Sequence, residues 1–284
     1  METIDNVAEL RSRLTAERAA GNTIGFVPTM GYLHAGHVSL IDAAVASNDL
    51  TVVSIFVNPL QFGAGEDLDS YPVDIERDLL ACSDARADLV FMPSVSEMYP
   101  PDMSTTVTVG GVSGPLEGES RPTHFAGVAT VVAKLFSIVG PCRAYFGAKD
   151  WQQVTVVRRM TADLSLPVEV ISCPIVREPD GLAMSSRNVY LSPEDRRQAP
   201  VLRRALLAGI ELVEAGVTDH SVIETEMAGV VSTAPLAQLD YAAAVPADSL
   251  VADGPLRGDV RLLLAVRFGG ARLIDNAGCR TVDS

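Results

Sequence analysis

Short extended runs alternate with segments of helical spacing through the first two thirds of the chain, and this alternation constrains the fold more than any other feature. Residues 51–57 read TVVSIFV, a continuous apolar run of the kind buried on both faces of a parallel sheet. Extended runs are also expected over 23–29 (TIGFVPT), 88–92, 143–147 and 168–176, and helices over 7–20, 37–47, 75–87, 128–138 and 150–164. Strands separated by helices pair in parallel through right-handed crossovers. The expectation is an α/β fold with a Rossmann-like parallel sheet and helices on both faces.

The pattern changes after Val176. Residues 177–188 (REPDGLAMSSRN) form a polar stretch with few apolar anchors. Ser192-Pro193-Glu194-Asp195 is a helix start: a serine cap, proline in the first turn, and acids near the positive end of the helix dipole. Two helices are expected to follow, ending near Gly216 and Ser232. Extended runs over 239–245 and 260–274 come last, the second interrupted by Gly269-Gly270 as a hairpin turn. A boundary near Ile175 therefore separates a domain of residues 1–175 from a smaller α+β C-terminal domain of residues 176–284.

Composition narrows the functional classes. The formal net charge is −14, from 22 basic and 36 acidic side chains. Such a surface repels a polyanion, so nucleic acid is not an expected partner, whereas a local basic pocket for a small anion is allowed. No apolar run reaches the roughly 18–20 residues of a membrane span. The opening METIDNVAELRSRL lacks a signal peptide's basic flank and apolar stretch, which reads as cytoplasmic. Cys82, Cys142, Cys173 and Cys279 are scattered without a CxxC pair, so neither a zinc cluster nor a disulfide framework is expected. Of the 22 basic residues only Lys134 and Lys149 are lysine. Arginine cannot copy a compact, rotatable ammonium at a crowded site, which draws attention to Lys149 in FGAKDWQQ.

The stretch PTMGYLHAGH (28–37) sits where the first long strand should hand over to a helix. In an open α/β sheet, ligands bind outside the carboxyl ends of strands. A helix start offers unpaired N–H groups and a positive dipole end, which suit phosphate. Gly31 and Gly36 would let backbone approach a ligand. His34 and His37, three apart, can face the same side and donate to phosphate oxygens as charge builds there. Zinc ligation is the competing reading, but zinc needs three or four ligands, and His124 and His220 are remote in sequence. The chain has no Gly-Lys dipeptide, which excludes a Walker A loop, and no GxGxxG follows the first strand.

PTMGYLHAGH resembles the HxGH signature of the nucleotidyl-transferring superfamily that includes class I aminoacyl-tRNA synthetases. SIFVNPLQFG (54–63), DLDSYP (67–72), LEGESRPTHFAGVATVV (116–132), FGAKDWQQ (146–153) and DGLAMSSRN (180–188) resemble, in order, the signatures of the pantothenate synthetase family. The C-terminal third is similar more loosely. The resemblance implies that ATP and the carboxylate of (R)-pantoate give a pantoyl adenylate and pyrophosphate. The amine of β-alanine then releases pantothenate and AMP. It also implies a homodimer, and a C-terminal lid carrying the SSRN segment.

Carried over residue by residue, the resemblance assigns catalytic roles to His34, His37, Lys149, Ser185, Ser186 and Arg187, with His37 the proton donor. ATP would meet these residues together with Met30, Gly31, Gly36, Gly147, Ala148, Asp150, Val176 and Met184. Gln61 and Gln153 would hold pantoate, and Gln61 also β-alanine. Asn58, Tyr71, Glu117 and Arg121 lie in matching motifs as second-tier residues. Asn58-Pro59 reads equally as a turn, and Arg121 as a surface ion pair. Ala148 stands where the family often carries glutamate. Arg77 stands where a carboxylate commonly precedes Asp78, leaving Asp78 as the lone candidate ligand for Mg2+, which otherwise rides on the ATP phosphates. His124 reads as a histidine holding its loop, Trp151 as helix packing, and residues 210–217 as core or dimer contact. Another HxGH nucleotidyltransferase, acting on a different carboxylate or on a phosphate ester, and a nucleotide-binding regulator remain as alternatives.

Overall fold

The computed structural model describes residues 1–282. In chain order its first elements are β1 (Glu2–Ile4), α1 (Val7–Ala19), β2 (Ile24–Thr29), α2 (Ala35–Ser47), β3 (Leu50–Ile55) and a 3-10 turn over Pro59–Gln61. Then come α3 (Ile75–Asp84), β4 (Leu89–Phe91), α4 (Val95–Met98), α5 (Glu117–Ser120), α6 (His124–Val139), β5 (Cys142–Gly147), a 3-10 turn over Ala148–Asp150, α7 (Trp151–Asp163) and β6 (Val168–Cys173). The remainder holds a 3-10 turn over Ser186–Tyr190, α8 (Pro193–Gln198), α9 (Val201–Glu214), α10 (His220–Ser232), β7 (Gln238–Pro246), β8 (Asp259–Phe268) and β9 (Ala271–Arg280). The chain divides into two compact units. One is Met1–Ala148 with Gln153–Pro174, and the other is Lys149–Gln152 with Ile175–Ser284.

The first unit is built on a six-stranded sheet in the order β1-β4-β3-β2-β5-β6, with every pairing parallel. Successive strand residues point to opposite faces, and the two faces bury different partners. Ile24, Phe26, Leu50, Val52, Leu89 and Phe91 pack with Leu10 and Leu14 of α1 and with the apolar side of α6. Val27, Val53, Ile55, Val90 and Tyr145 pack instead with Leu40 and Ile41 of α2 and Cys82 of α3. That double cover is why residues 51–56 are all buried. The strand order reverses at β2, since the chain runs outward from β2 to β3 and later returns to β5 on β2's other side. The carboxyl ends of β2 and β5 are thus the switch point where such sheets bind ligands.

The second unit contains an antiparallel sheet in the order β7-β8-β9. Gly269, at φ 54°, makes the β8–β9 turn that the Gly-Gly pair predicts. Helices α9 and α10 cover the sheet through Leu202, Leu206, Val213, Ile223 and Met227. A side chain on Gly209 would press on Leu262 and Met227, so glycine lets α9 approach the sheet and α10 closely. Ile210, Leu212, Val213 and Val217 belong to this core.

Several boundaries differ from the sequence expectation, each for a physical reason. The last parallel strand stops at Cys173 and does not reach Val176, because Pro174 has no N–H for the ladder. Ser192 caps a helix as expected, its Oγ accepting from the Asp195 N–H at 3.1 Å. Pro200 then splits one expected helix into α8 and α9. Helix α6 starts four residues before the expected Val128, at His124. This brings Gly127 into the helix, packed on the turn at Pro59–Gln61. A Cβ on Gly127 would fall inside the Leu60 carbonyl and 2.6 Å from Gln61 Cα. Gly127→Ala is therefore expected to lose about 1–3 kcal/mol by overpacking, read as a lower urea midpoint at unchanged slope.

Candidate active site

The turn after β2 is held by a buried carboxylate. Gly31 and Tyr32 both have positive φ, 84° and 50°, so consecutive N–H groups turn to one side. Asp78 of α3, fully buried, receives them: the Tyr32 N–H donates to Oδ2 at 2.7 Å and the Leu33 N–H to Oδ1 at 2.6 Å. A Cβ on Gly31 would lie 2.8 Å from Asp78 Oδ2, so this position requires glycine on two counts. Arg77, the departure noted in the sequence, lies over the Tyr32 ring at 5.1 Å. Asp78, the candidate ligand for Mg2+, has a structural role here. Both its oxygens serve backbone N–H groups, and it acts as the anchor of the histidine turn.

The HxGH spacing has a structural meaning. His34 is the N-cap of α2, and its Nδ1 accepts from the Gly36 N–H at 3.1 Å. His37 reaches back, and its Nδ1 accepts from the His34 N–H at 3.3 Å. This is a reciprocal capping box made of two imidazoles. A backbone N–H can only donate, so Nδ1 is the unprotonated nitrogen in both neutral rings and the proton sits on Nε2. The rings lie 4.1 Å apart at 35°. The pair therefore presents two Nε2–H donors at a helix N-terminus, on the carboxyl side of the switch-point strand.

Gln61 is the second centre of the first unit. Its carbonyl accepts from His124 Nδ1 at 2.9 Å and from the Arg121 guanidinium at 3.3 Å. A carbonyl can only accept, so His124 carries its proton on Nδ1, the opposite tautomer to His34 and His37. Arg121 also grips Glu66, Nε to Oε1 at 2.8 Å, and holds that carboxyl below the usual carboxylate range. The ion-pair reading of Arg121 is thus realised, but partly buried and tied to Gln61. Asn58 is buried and caps the turn. Its Oδ1 accepts from the Leu60 N–H at 3.2 Å and the Tyr99 hydroxyl at 2.7 Å, and its Nδ2 donates to the Gly127 carbonyl at 3.1 Å and Gln61 Oε1 at 3.0 Å. With its oxygen so engaged, Gln61 turns Nε2 toward Met30, 2.9 Å from the sulfur. Met30, Asn58 and Gln61 are thereby brought together. Tyr71 is buried edge-on to Phe62 at 5.8 Å, and Glu117 is buried at the start of α5. Gly147 ends β5, buried Ala148 follows it, and half-buried Gln153 lies in the first turn of α7.

The second unit carries the other predicted residues. A bridge between Arg177 and Ala183, with the Met184 N–H donating to the Val176 carbonyl at 3.0 Å, sets Val176 and Met184 side by side. Ser185 caps the next turn, its Oγ accepting from the Arg187 N–H at 3.3 Å, so Ser185, Ser186 and Arg187 share one short turn. Lys149 Nζ lies 3.6 Å from Asp150 Oδ1. Trp151 does more than pack: its Nε1 donates to the Ala247 carbonyl at 2.8 Å, and the Arg261 guanidinium lies 3.8 Å from its ring centre. Sequence reasoning missed Glu66, Tyr99 and the residues of β8 and β9 that hold Lys149–Trp151, because nothing local in the chain marks their partners.

Two tests follow from this geometry. Asp78→Asn must turn an NH2 toward one of two N–H donors, so it is expected to cost about 2–3 kcal/mol in urea denaturation. Burial, with Arg121's positive charge adding to it, lowers the His124 pKa from 6.5 to about 4. The unfolded chain then binds a proton that the fold refuses. The contribution of His124 is fully present above pH 6.5 and is lost as pH falls toward 4. Wild-type stability should drop by about 2–3 kcal/mol across that window, and His124→Gln should flatten this part of the curve.

Comparison with known proteins agrees with these motifs over nearly the whole chain. The family model described as pantoate-beta-alanine ligase matches residues 2–278. The pantothenate synthetase of Roseiflexus sp. is 54% identical over 276 residues, covering 97% of this chain and 98% of its own length. That of Acetivibrio thermocellus is 51% identical over 276 residues, with the same coverage. Among solved structures, the pantothenate synthetase of Thermus thermophilus is similar at a TM-score of 0.92 and 50% identity, covering 98% of this chain and 99% of that one. The pantoate-beta-alanine ligase of Francisella tularensis, complexed with beta-gamma ATP and beta-alanine, is similar at a TM-score of 0.80 and 33% identity, covering 98% and 97%.

Proposed function

The chain belongs to the pantoate-beta-alanine ligase family, and on that premise we propose how its residues carry the reaction. The enzyme joins pantoate to β-alanine with ATP as the energy source. A pantoate carboxylate oxygen attacks the α-phosphorus, and pyrophosphate leaves with the electron pair of the broken P–O bond. The β-alanine amine then attacks the acyl carbon of the pantoyl adenylate. AMP leaves, and the amine gives up its proton. The first step is the harder one electrostatically, because a carboxylate must approach an anionic triphosphate.

The observation that carries the reading is the reciprocal histidine cap at the switch point, in a chain that matches the family over residues 2–278. Nε2–H donors on His34 and His37 stabilise charge as it develops on the phosphate oxygens, with His37 the proton donor. The α2 N-terminus, with Gly36 in its first turn, adds N–H groups and a favourable dipole. Met30 and Gly31 line the nucleotide. Gly147 and Asp150 take the ribose side, with Ala148 between them in the ATP segment, and Val176 and Met184 the adenine. Lys149 supplies a point charge to the phosphates, and Ser185, Ser186 and Arg187 hold the leaving pyrophosphate. Gln61 and Gln153 bind pantoate as neutral amides, and Gln61 later meets β-alanine. With its oxygen turned to Asn58, Gln61 offers substrate an N–H donor, for which the Met30 thioether is only a weak competitor. Asn58 and Arg121 support Gln61, and Tyr71 and Glu117 support the surrounding loops.

Asp78 is committed to backbone, and among the described residues no group of three or more His, Cys, Asp and Glu side chains could hold an ion. Magnesium enters as the counterion of ATP, a role suited to an ion that keeps most of its water. We also place the enzyme in the cytoplasm as a homodimer, with residues 176–284 as the lid. Four unbridged cysteines suit a reducing compartment.

Pantoate-dependent ATP–pyrophosphate exchange, followed by AMP release on adding β-alanine, is the decisive assay. Exchange supported equally by other carboxylates, or absent with pantoate, would transfer the chain to another HxGH nucleotidyltransferase activity. His37→Ala is expected to lower exchange by about a hundredfold or more. Lys149→Arg should lose at least about tenfold, because a planar fork replaces a compact ammonium.

A further inference from the structure

Lys149 is read above as a phosphate-binding ammonium, and among the described residues its side chain forms an ion pair with its sequence neighbour Asp150. What fixes it comes from the far end of the chain. Asn276 of β9 is buried, 2% exposed, and its Nδ2 donates to the Lys149 carbonyl at 2.6 Å. Its Oδ1 accepts from Arg261 Nε at 2.8 Å. A guanidinium only donates and a carbonyl only accepts, so the Asn276 amide has one permitted orientation. Arg261 stacks on Trp151, whose Nε1 is tied to Ala247. Asn276 is fixed in turn by its neighbour Asp275. The Asn276 N–H donates to Asp275 Oδ1 at 2.7 Å, and Asp275 takes both nitrogens of the Arg177 guanidinium, at 2.6 and 2.9 Å. Two residue positions past Ala148, the Lys149 carbonyl and the Trp151 indole, are thus gripped by one polar network of the C-terminal sheet. Lys149–Gln152 groups with Ile175–Ser284 and not with the strand it follows.

We propose that Asn276 is a positioning residue for Lys149, acting with Arg261 and Trp151 to fix the turn that carries the ammonium. The proposal rests on the reading of Lys149 as a phosphate contact. The network ties Lys149 to the unit that also holds Ser185, Ser186 and Arg187, so the cationic and hydroxyl groups assigned to the triphosphate share one frame. Asn276 touches none of the reacting groups, and its effect must pass through the Lys149 backbone.

The test is a double-mutant cycle in pantoate-dependent exchange, using the full chain. Asn276→Asp keeps the shape and the Arg261 contact but sets a carboxylate oxygen against the Lys149 carbonyl. Exchange should fall about tenfold or more through kcat and the KM for ATP, with the KM for pantoate nearly unchanged. Trp151→Phe, which keeps a ring for Arg261 but loses the Ala247 bond, should show a smaller loss with the same split. In a Lys149→Ala background, neither substitution should reduce exchange further. An equal loss in both backgrounds, wild-type exchange in both variants, or a loss confined to the KM for pantoate overturns the proposal. Wild-type exchange in Lys149→Ala alone overturns the underlying reading of Lys149, and that single variant shows it without reference to Asn276. If Asn276→Asp does not fold, Trp151→Phe completes the cycle.

Discussion

A carboxylate with no exposure to water, Asp78, receives two consecutive backbone N–H groups from the turn after β2, and the shape of the histidine turn depends on it. Two successive residues with positive φ make a small concavity of N–H dipoles that demands an anion. Without one, the turn would leave two donors unsatisfied in the interior. The anion comes from α3 and not from a ligand, so the turn is complete before any phosphate arrives. Its electrostatic reach is visible one helical turn on. The Cys82 thiol is pushed up to about 12, chiefly by burial, with the Asp78 charge adding to it.

The tautomers of three histidines follow from the backbone groups they face. His34 and His37 meet backbone N–H groups at Nδ1, and His124 meets a backbone carbonyl there. The first two must keep their proton on Nε2 and the third on Nδ1. One residue type thus carries its proton on Nε2 in one place and clamps a loop through Nδ1 in another, and the polarity of the facing backbone group decides which. Gln61 illustrates the same logic for an amide. Asn58 is fixed by one backbone donor and one backbone acceptor, and it passes that polarity on to Gln61.

The division of groups between the two units is a second organising constraint. The histidine cap, Gln61 and Gln153 belong to the parallel-sheet unit, whereas Lys149 and the Ser185–Arg187 turn belong to the other. Lys149 follows β5 in sequence, but a buried network of β8 and β9 holds its backbone. In an acidic chain with a net charge of −14, the cations proposed for the triphosphate would sit on defined frames and serve a small anion without attracting polyanions.

The sequence alone determined the parallel α/β architecture, because apolar periodicity records which faces are buried, and buried faces are what folding selects. It also pointed to a candidate site. A glycine-flanked histidine pair after a strand, and a lone lysine after another, mark the carboxyl ends of β2 and β5. The motif resemblance supplied the reaction. Tertiary structure alone decided that Asp78 anchors the histidine turn, that His124 and the histidine pair hold opposite tautomers, and that Trp151 is a tether. It alone joined Lys149 to Asn276, 127 residues away in sequence. These are facts about which donor meets which acceptor. Residue type fixes only what a group can donate or accept, and the partner is chosen when distant segments pack together.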